Sequence, residues 1–295
     1  MKRILITGAN SFIGTSFEKY VSKWPEQYQV DTVDMIDGSW REKSFSGYDT
    51  VYHVAGIAHA DVGNVSEERK ALYYRINTDL TIETAKKARN DGVKQFIFMS
   101  SAIVYGDSAP IGQRKRIDRN TPVNPANFYG DSKVQAENGI LPLDSENFRV
   151  CVLRPPMIYG PGNKGNFNAL EKLAKKLPVF PWVDNERSML YVENLMEFVR
   201  LMVENRESGI FYPQNAEYVN TSMMVMQIAA ANGGRIRMIK GFGWVLKILS
   251  HLTGLVNKAF GSFSYEMEMS RYKSDYRVCS FADSINRTEG VGSVK

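Results

Sequence analysis

Lys2-Arg3-Ile4-Leu5-Ile6-Thr7-Gly8-Ala9-Asn10-Ser11-Phe12-Ile13-Gly14 opens the chain with a short apolar run, a glycine-bearing turn and the start of a helical pattern. Thr7 and Gly8 cut the apolar run too early for a secretory signal, so it reads as a buried first strand. A helix follows over Phe12 to Lys23. Between them, the backbone amides of Asn10, Ser11, Phe12 and Ile13 and the positive end of the helix are placed to face a pyrophosphate. Gly8 permits the tight turn, and Gly14 close packing of helix on strand. The middle glycine of a dinucleotide fingerprint is expected at Ser11 and is missing. A serine there still offers its amide and a hydroxyl that can bond a phosphate.

Reading outward, Val30 to Met35, Thr50 to Val54, Gln95 to Met99 and Arg149 to Leu153 have the composition of strands. Glu67 to Asn90 reads as one long helix, and a further helix runs through Tyr129. Strands alternating with helices imply right-handed crossovers and a parallel sheet covered on both faces. The expected fold is therefore α/β, a doubly wound Rossmann-type sheet. After Pro155-Pro156 the regularity fades into helices near Phe167 to Lys176, Val192 to Glu204 and Ser222 to Ala231. We read residues 1–160 as the cofactor-binding domain and 161–295 as a smaller substrate lobe, with some of its elements able to return to the sheet. Asp34 ends the second strand about twenty residues after Gly14, where a carboxylate accepts hydrogen bonds from an adenosine ribose and repels a 2′-phosphate. That favours NAD over NADP. Asp37 is close enough to take the same role, and a strand-end turn is the plainer reading of either residue.

Composition narrows the remaining classes. The 295 residues carry a net charge of +5, and the densest basic cluster, Arg114, Lys115 and Arg116, has no interleaved aromatic platform. A solvated loop accounts for it better than a nucleic-acid surface. Gly241 to Phe260 is apolar, but Lys247, His251 and Lys258 interrupt it, so it reads as an amphipathic helix and not a membrane span. Cys151 and Cys279 lie in apolar settings, and with the three histidines they form no metal-ligand spacing. A reducing, cytoplasmic compartment and no metal are expected.

Tyr129-Gly-Asp-Ser-Lys133 places a phenol and an ammonium on one helix face. A tyrosine that titrates near pH ~10 must fall by about 3 units to act as a base at neutrality, worth roughly 4 kcal/mol. A cation about 4 Å away supplies much of that at an effective dielectric of about 20. Oxidised nicotinamide would add a second positive charge. His53-Val54-Ala55-Gly56 ends a strand in small residues, as needed where backbone lies flat beneath a cofactor; His53 itself reads as packed or hydrogen-bonded. Ser100 and Ser101 follow another strand and face the same crevice, with Ser101 able to bond the substrate oxygen whose proton Tyr129 takes.

With TGANSFIG at Thr7, HVAG at His53, SSAIVYG at Ser100, YGDSK at Tyr129, LRPPMIYGPG at Leu153 and ERSMLYVENL at Glu186, the chain resembles the extended short-chain dehydrogenase/reductase superfamily. Within it, the chain is similar to the NAD-dependent nucleotide-sugar epimerases and dehydratases. The resemblance implies NAD as cofactor and a catalytic set of Ser101, Tyr129 and Lys133, with Lys133 also bonding the nicotinamide ribose. It implies Pro155 near nicotinamide, and Asn166, Phe167 and Arg187 at the nucleotide diphosphate or sugar. Arg187 reads otherwise as a surface ion pair with Glu186 or Glu193. A homodimer through Glu67 to Asn90 and Tyr129 to Leu141 is also implied. Two features depart from the pattern besides Ser11. The short segment after Asp34 suggests an adenine pocket compressed onto Asp37, Gly38 and Trp40. Ser101-Ala102-Ile103 lacks the Asp-Glu pair of 4,6-dehydratases, which argues against elimination. The expected activity is UDP-sugar 4-epimerisation through a transient 4-keto sugar. The alternatives are 4-ketoreduction of a nucleotide 4-keto-6-deoxy sugar for surface polysaccharides with external NAD(P)H, and a non-catalytic dinucleotide sensor.

Overall fold

Six parallel strands organise the first of two compact units in the computed structural model, which describes residues 1–57, 65–163, 167–241 and 254–291. In chain order they are β1 (Lys2–Thr7), β2 (Tyr28–Val33), β3 (Thr50–His53), β4 (Gln95–Met99), β5 (Arg149–Leu153) and β6 (Gly209–Phe211). Their order across the sheet is β6-β5-β4-β3-β1-β2. Ile4 pairs with Val30 on one side and Thr50 on the other, and Phe96 lies between Val51 and Val150. Every residue of β3 and β4 is buried, as continuous apolar runs require in a sheet covered on both faces.

The covering helices are α1 (Phe12–Val21), α2 (Glu67–Tyr73), α3 (Leu80–Asn90), α4 (Phe128–Ile140) and α5 (Val192–Asn205). Leu5, Val51, Phe96, Phe98 and Val150 pack with Ala85, Ala88, Ala136 and Ile140 on one side. On the other, Phe17 meets Tyr52 edge-on at 5.3 Å, and Tyr20 of α1 donates to Glu197 of α5 at 3.1 Å. The sheet is thus doubly wound. The chain leaves β1 for β2 on one side and reaches β3 on the other, so the strand order reverses at β1. The crevice for a ligand opens beyond the carboxyl ends of β1 and β3.

One local feature differs from the sequence reading, and a second, the short segment after β2, follows it. The expected helix Glu67 to Asn90 is divided by a π-helical turn, Tyr74–Asp79, which is a common device where a helix must re-aim side chains at a site. The segment after β2 contains only the 3₁₀ turn Ser39–Arg41 before β3 begins, and the sheet ends at β2.

The first unit comprises Met1–Gly106, Pro122–Pro155 and Leu195–Pro213, and the second comprises Asp107–Thr121, Pro156–Asn194 and Gln214–Lys295. The chain passes between the units several times, and Leu195–Pro213, with β6, returns to the first. Within the second unit, Met157–Tyr159 pairs with Met189–Tyr191 and Val179–Pro181 with Arg237–Ile239. Tyr159 anchors its core, stacked on Phe167 at 5.5 Å and bonded through its hydroxyl to Ser284 and Asn215. Of the apolar stretch Gly241 to Phe260, the helix Gly254–Phe260 is described and residues 242–253 are not. Among the described residues no helix is long and apolar enough to cross a membrane, and no cluster of His, Cys, Asp and Glu is suited to a metal.

Candidate active site

The turn between β1 and α1 is built around backbone that a side chain would displace. Gly8 has φ +113°, and a Cβ there would lie 2.8 Å from the Ala55 nitrogen. At Gly14 a Cβ would meet Ser11 Oγ at 2.7 Å and Ile6 Cγ2 at 3.1 Å. Val54 and Ala55 both donate to the Thr7 carbonyl, at 3.1 and 2.9 Å, which draws the ends of β1 and β3 together. Asn10 takes a left-handed conformation, φ 60°, which asparagine tolerates. Ser11 caps α1 by accepting from the Gly14 amide at 3.1 Å. That bond uses one lone pair of the hydroxyl and leaves its O–H free to donate. The amides of Phe12 and Ile13, in the first turn, have no carbonyl partner within the helix and lie at its positive end. A tight backbone turn with first-turn amides is a cradle that fits a pyrophosphate.

Asp34 and Asp37 are both exposed at the end of β2. Asp34 accepts from the Ile36 amide at 2.9 Å, and Asp37 from the amide and hydroxyl of Ser39 at 3.0 and 2.7 Å. Both are turn formers here, and the Ser39 bonds hold the Asp37 carboxyl below its usual range. Trp40 corrects the sequence reading. Its side chain is 0% exposed and stacks on Phe45, so it is core and not the wall of an adenine pocket. Arg41 covers its ring at 4.7 Å and forms a two-point ion pair with Glu83.

Beyond the ends of β3 and β4, α4 presents Tyr129 and Lys133. Asn127 caps that helix by accepting from the Gly130 amide, which sets its first turn. The Lys133 ammonium is buried, donates to the Met99 carbonyl at 3.0 Å, and lies 4.7 Å over the Phe98 ring. Burial lowers its pKa to about 8, and the Glu137 charge offsets part of that. Burial pushes the Tyr129 phenol up to about 12, with a hydrogen bond from Ser101 pulling it partly back and Tyr73 adding to the rise. The depressed tyrosine that the Tyr-Lys spacing suggested is absent from the protein by itself. The reason is that desolvation of the phenolate outweighs the help its neighbours give. Ser101 begins a 3₁₀ turn, Ala102–Tyr105, and accepts from the Ile103 amide at 3.3 Å. Ser100 differs from its sequence reading, since its buried hydroxyl donates to Glu137 at 2.5 Å and not toward a ligand. The Pro155 carbonyl accepts from the Ala102 amide at 2.9 Å.

His53 is a packed residue, as expected. Its ring nitrogens contact the hydroxyls of Thr7 at 2.7 Å and Thr81 at 3.1 Å, and burial lowers its pKa to about 3. Asn77, which the sequence reading missed, is fully buried in the π-helical turn. It accepts from the Ile57 amide at 2.8 Å and donates to the Ile57 carbonyl and Ser132 Oγ. A Cβ on Gly56 would come within 3.0 Å of the Asn77 oxygen and 3.3 Å of Lys133 Nζ. This places Gly56, Asn77 and Lys133 in one tight group. An asparagine amid threonines in an otherwise amphipathic helix was the available signal.

The other expected substrate residues, Asn166, Phe167 and Arg187, fall within the second unit's part of the chain. Asn166 lies outside the described residues. Phe167 is 1% exposed, its ring committed to the stack on Tyr159. Arg187 donates to the Gly261 carbonyl at 3.0 Å, and burial lowers its pKa to about 10. Its neighbouring carboxylates have other cations: Glu186 is held by Arg114 and Arg116, and Glu193 by Arg287. The basic cluster at Arg114 to Arg116 is likewise tied into ion pairs with Asp184 and Glu186.

The model of the NAD dependent epimerase/dehydratase family matches residues 4–212, a stretch containing every cradle and α4 residue described above. The chain is 28% identical over 294 residues to the UDP-glucose 4-epimerase of Vibrio cholerae, covering 92% of this chain and 89% of that one. It is 28% identical over 279 residues to N-acetyl-alpha-D-glucosaminyl-diphospho-ditrans,octacis-undecaprenol 4-epimerase of Escherichia coli O157:H7, covering 85% and 81%. The dTDP-4-dehydrorhamnose reductase of Bacillus anthracis str. Ames, solved with NADP, shares the fold with a TM-score of 0.73 at 18% identity, covering 98% and 99% of the two chains. A doubly wound sheet with a glycine cradle at its switch point, matched over most of its length by that family's model, identifies the chain as an enzyme of the extended short-chain dehydrogenase/reductase type that belongs to the NAD dependent epimerase/dehydratase family.

Proposed function

We propose that this enzyme interconverts the C4 epimers of a UDP-sugar with NAD retained at the cradle. The observation that carries the reading is the grouping of Ser101, Tyr129 and Lys133 beyond β3 and β4, on the same sheet end as the Gly8 turn. NAD supplies a reversible acceptor for the hydrogen on C4 and, when oxidised, a positive charge that favours the tyrosinate. The first-turn amides of α1 would hold its pyrophosphate, Asp34 or Asp37 its adenosine ribose, and Lys133 its nicotinamide ribose. Exposed carboxylates after β2 favour NAD over NADP, since a 2′-phosphate there would be repelled. Tyr129, whose phenol pKa Ser101 helps to lower, would exchange a proton with the sugar 4-hydroxyl. A phenol at about 12 needs added positive charge for this, and Lys133 is the cation the chain itself brings. By the family resemblance, Arg187 would pair with the substrate diphosphate, a role suited to a permanently charged bidentate donor. Both epimerase relatives support the C4 reaction. The same reading expects a homodimer through α2, α3 and α4.

A second reading, 4-ketoreduction of a nucleotide 4-keto-6-deoxy sugar, is favoured by the shared fold of the dTDP-4-dehydrorhamnose reductase. It would use the same residues once per turnover and consume reduced cofactor. Purified protein incubated with UDP-glucose, followed by separation of UDP-glucose from UDP-galactose, tests the first reading. Interconversion without net change in reduced-nicotinamide absorbance is expected. Tyr129→Phe should lower turnover by about 10²–10⁴-fold while the protein still binds NADH. Turnover equal to wild type in that variant would remove the assignment.

A further inference from the structure

The carboxylate of Glu137 has no part in the reading above, yet it is 2% exposed at the centre of a charged network in the first unit. It follows Lys133 by one helical turn on α4. Arg154, at the end of β5, grips it with Nε at 3.1 and 3.2 Å and with Nη2 at 2.5 Å. Ser100, at the end of β4, donates to it at 2.5 Å, one residue beyond the Met99 carbonyl that receives Lys133. The remaining arm of Arg154 donates from Nη1 to the Tyr105 hydroxyl at 2.7 Å. Tyr105 closes the 3₁₀ turn that Ser101 opens. Two successive turns of α4 are thus stapled to successive residues of one strand end, and Arg154 ties that staple to the far end of the Ser101 turn.

The geometry points to Glu137 as a positioning residue of the active site, one that locks the Ser101 turn to the helix carrying Tyr129 and Lys133 and sets a negative charge one helical turn from the lysine. The inference rests on the proposed roles of Ser101, Tyr129 and Lys133. A buried ion pair of this kind is a costly way to gain stability. Its return here is geometric and electrostatic. The titratable groups that act with Lys133 are Glu137 on α4 and His53 on β3, which stays neutral, while the Arg154 charge on β5 is turned to Glu137. Glu137 is therefore the negative charge that favours the ammonium. At about 6 Å and an effective dielectric of about 20, a unit charge moves a neighbour's pKa by as much as about two units.

The test is the pH dependence of NADH binding, read by nucleotide fluorescence between pH 6 and 10, alongside UDP-glucose turnover. Wild type should lose affinity through a midpoint near 8, where Lys133 titrates. In Glu137→Gln the midpoint should move down by about one pH unit or more, a change that a purely structural loss would not produce. Tyr105→Phe retains every charge. It should leave the midpoint in place and NADH affinity within about twofold, yet lower turnover about tenfold, because the Ser101 turn loses its tie. A folded Glu137→Gln with an unmoved midpoint overturns the inference. Should that variant not fold, Tyr105→Phe decides, and wild-type turnover overturns it. Tyr129→Phe separates the two levels: full activity there sinks the site assignment, whereas its loss combined with an unmoved Glu137→Gln midpoint sinks only the role of Glu137.

Discussion

Replacing Gly8 with alanine is the sharpest probe of the crevice, because its cost follows from two geometric features. The residue sits at φ +113°, beyond even the left-handed region that non-glycine residues occasionally use, which costs on the order of 1–3 kcal/mol. The new Cβ would also lie 2.8 Å from the Ala55 nitrogen and 3.0 Å from its Cα. Those atoms are backbone and cannot rotate away. Relief requires β1 and β3 to part where Ala55 donates to Thr7 at 2.9 Å, adding about 1–3 kcal/mol of the kind seen on overpacking. A total near 4 kcal/mol corresponds to a melting temperature lower by roughly 8 °C, taking about 2 °C per kcal/mol for a chain of this size. Gly92 supplies the control: its φ is +81°, and a Cβ there meets nothing within 4 Å. Gly92→Ala should cost only about 1–2 kcal/mol of backbone strain and leave the crevice intact. Differential scanning fluorimetry of both variants, with NADH titration, reads the contrast. Gly8→Ala should melt at least about 4 °C below Gly92→Ala and bind NADH about tenfold or more weakly. Equal melting temperatures, or unchanged NADH affinity in Gly8→Ala, would refute the argument that this close approach shapes the cofactor site.

Two further outcomes follow from the packing of α4. Lys133 titrates near 8 in the folded protein against 10.5 ordinarily, so between those values the unfolded chain binds more protons. Its contribution to stability is present above pH 10.5 and lost as pH falls through 8, so stability should rise with pH across that window by up to about 3 kcal/mol. Tyr129, raised to about 12, opposes this only from pH 10 upward. Urea unfolding from pH 8 to 9.5 should show the rise in wild type and not in Lys133→Met; identical slopes would contradict the buried-cation account. On the opposite side of α4, a Cβ on Gly139 would come within 2.2 Å of Ile82 Cδ1. Gly139→Ala should cost about 1–2 kcal/mol in urea unfolding. Adding Ile82→Ala, which removes both Cδ1 and the Cγ1 that would lie at 2.6 Å, should recover most of the clash, and no recovery would place the strain elsewhere.

The alternation of apolar runs with helical periods was enough to read the parallel sheet and its crossovers, because strands buried on both faces do not alternate polar with apolar, as Phe96 to Met99 of β4 show. The glycine turn and the Tyr129–Lys133 pair were legible too, since both depend on spacing along one local element. Side-chain commitments were not. Ser11 caps α1, Trp40 fills the core, and Ser100 turns to Glu137, each choice made by a partner remote in sequence or by the local backbone path. Burial decided the rest: the same Tyr-Lys spacing that suggests a lowered phenol gives one raised to about 12 once the phenol is desolvated by the fold around it. Asn77 and the Glu137–Arg154 pair lie outside any short motif because their meaning is a meeting of three elements. Local periodicity determines which elements form, whereas desolvation and charge pairing depend on what the folded chain brings within a few ångströms, and only the tertiary structure sets those distances.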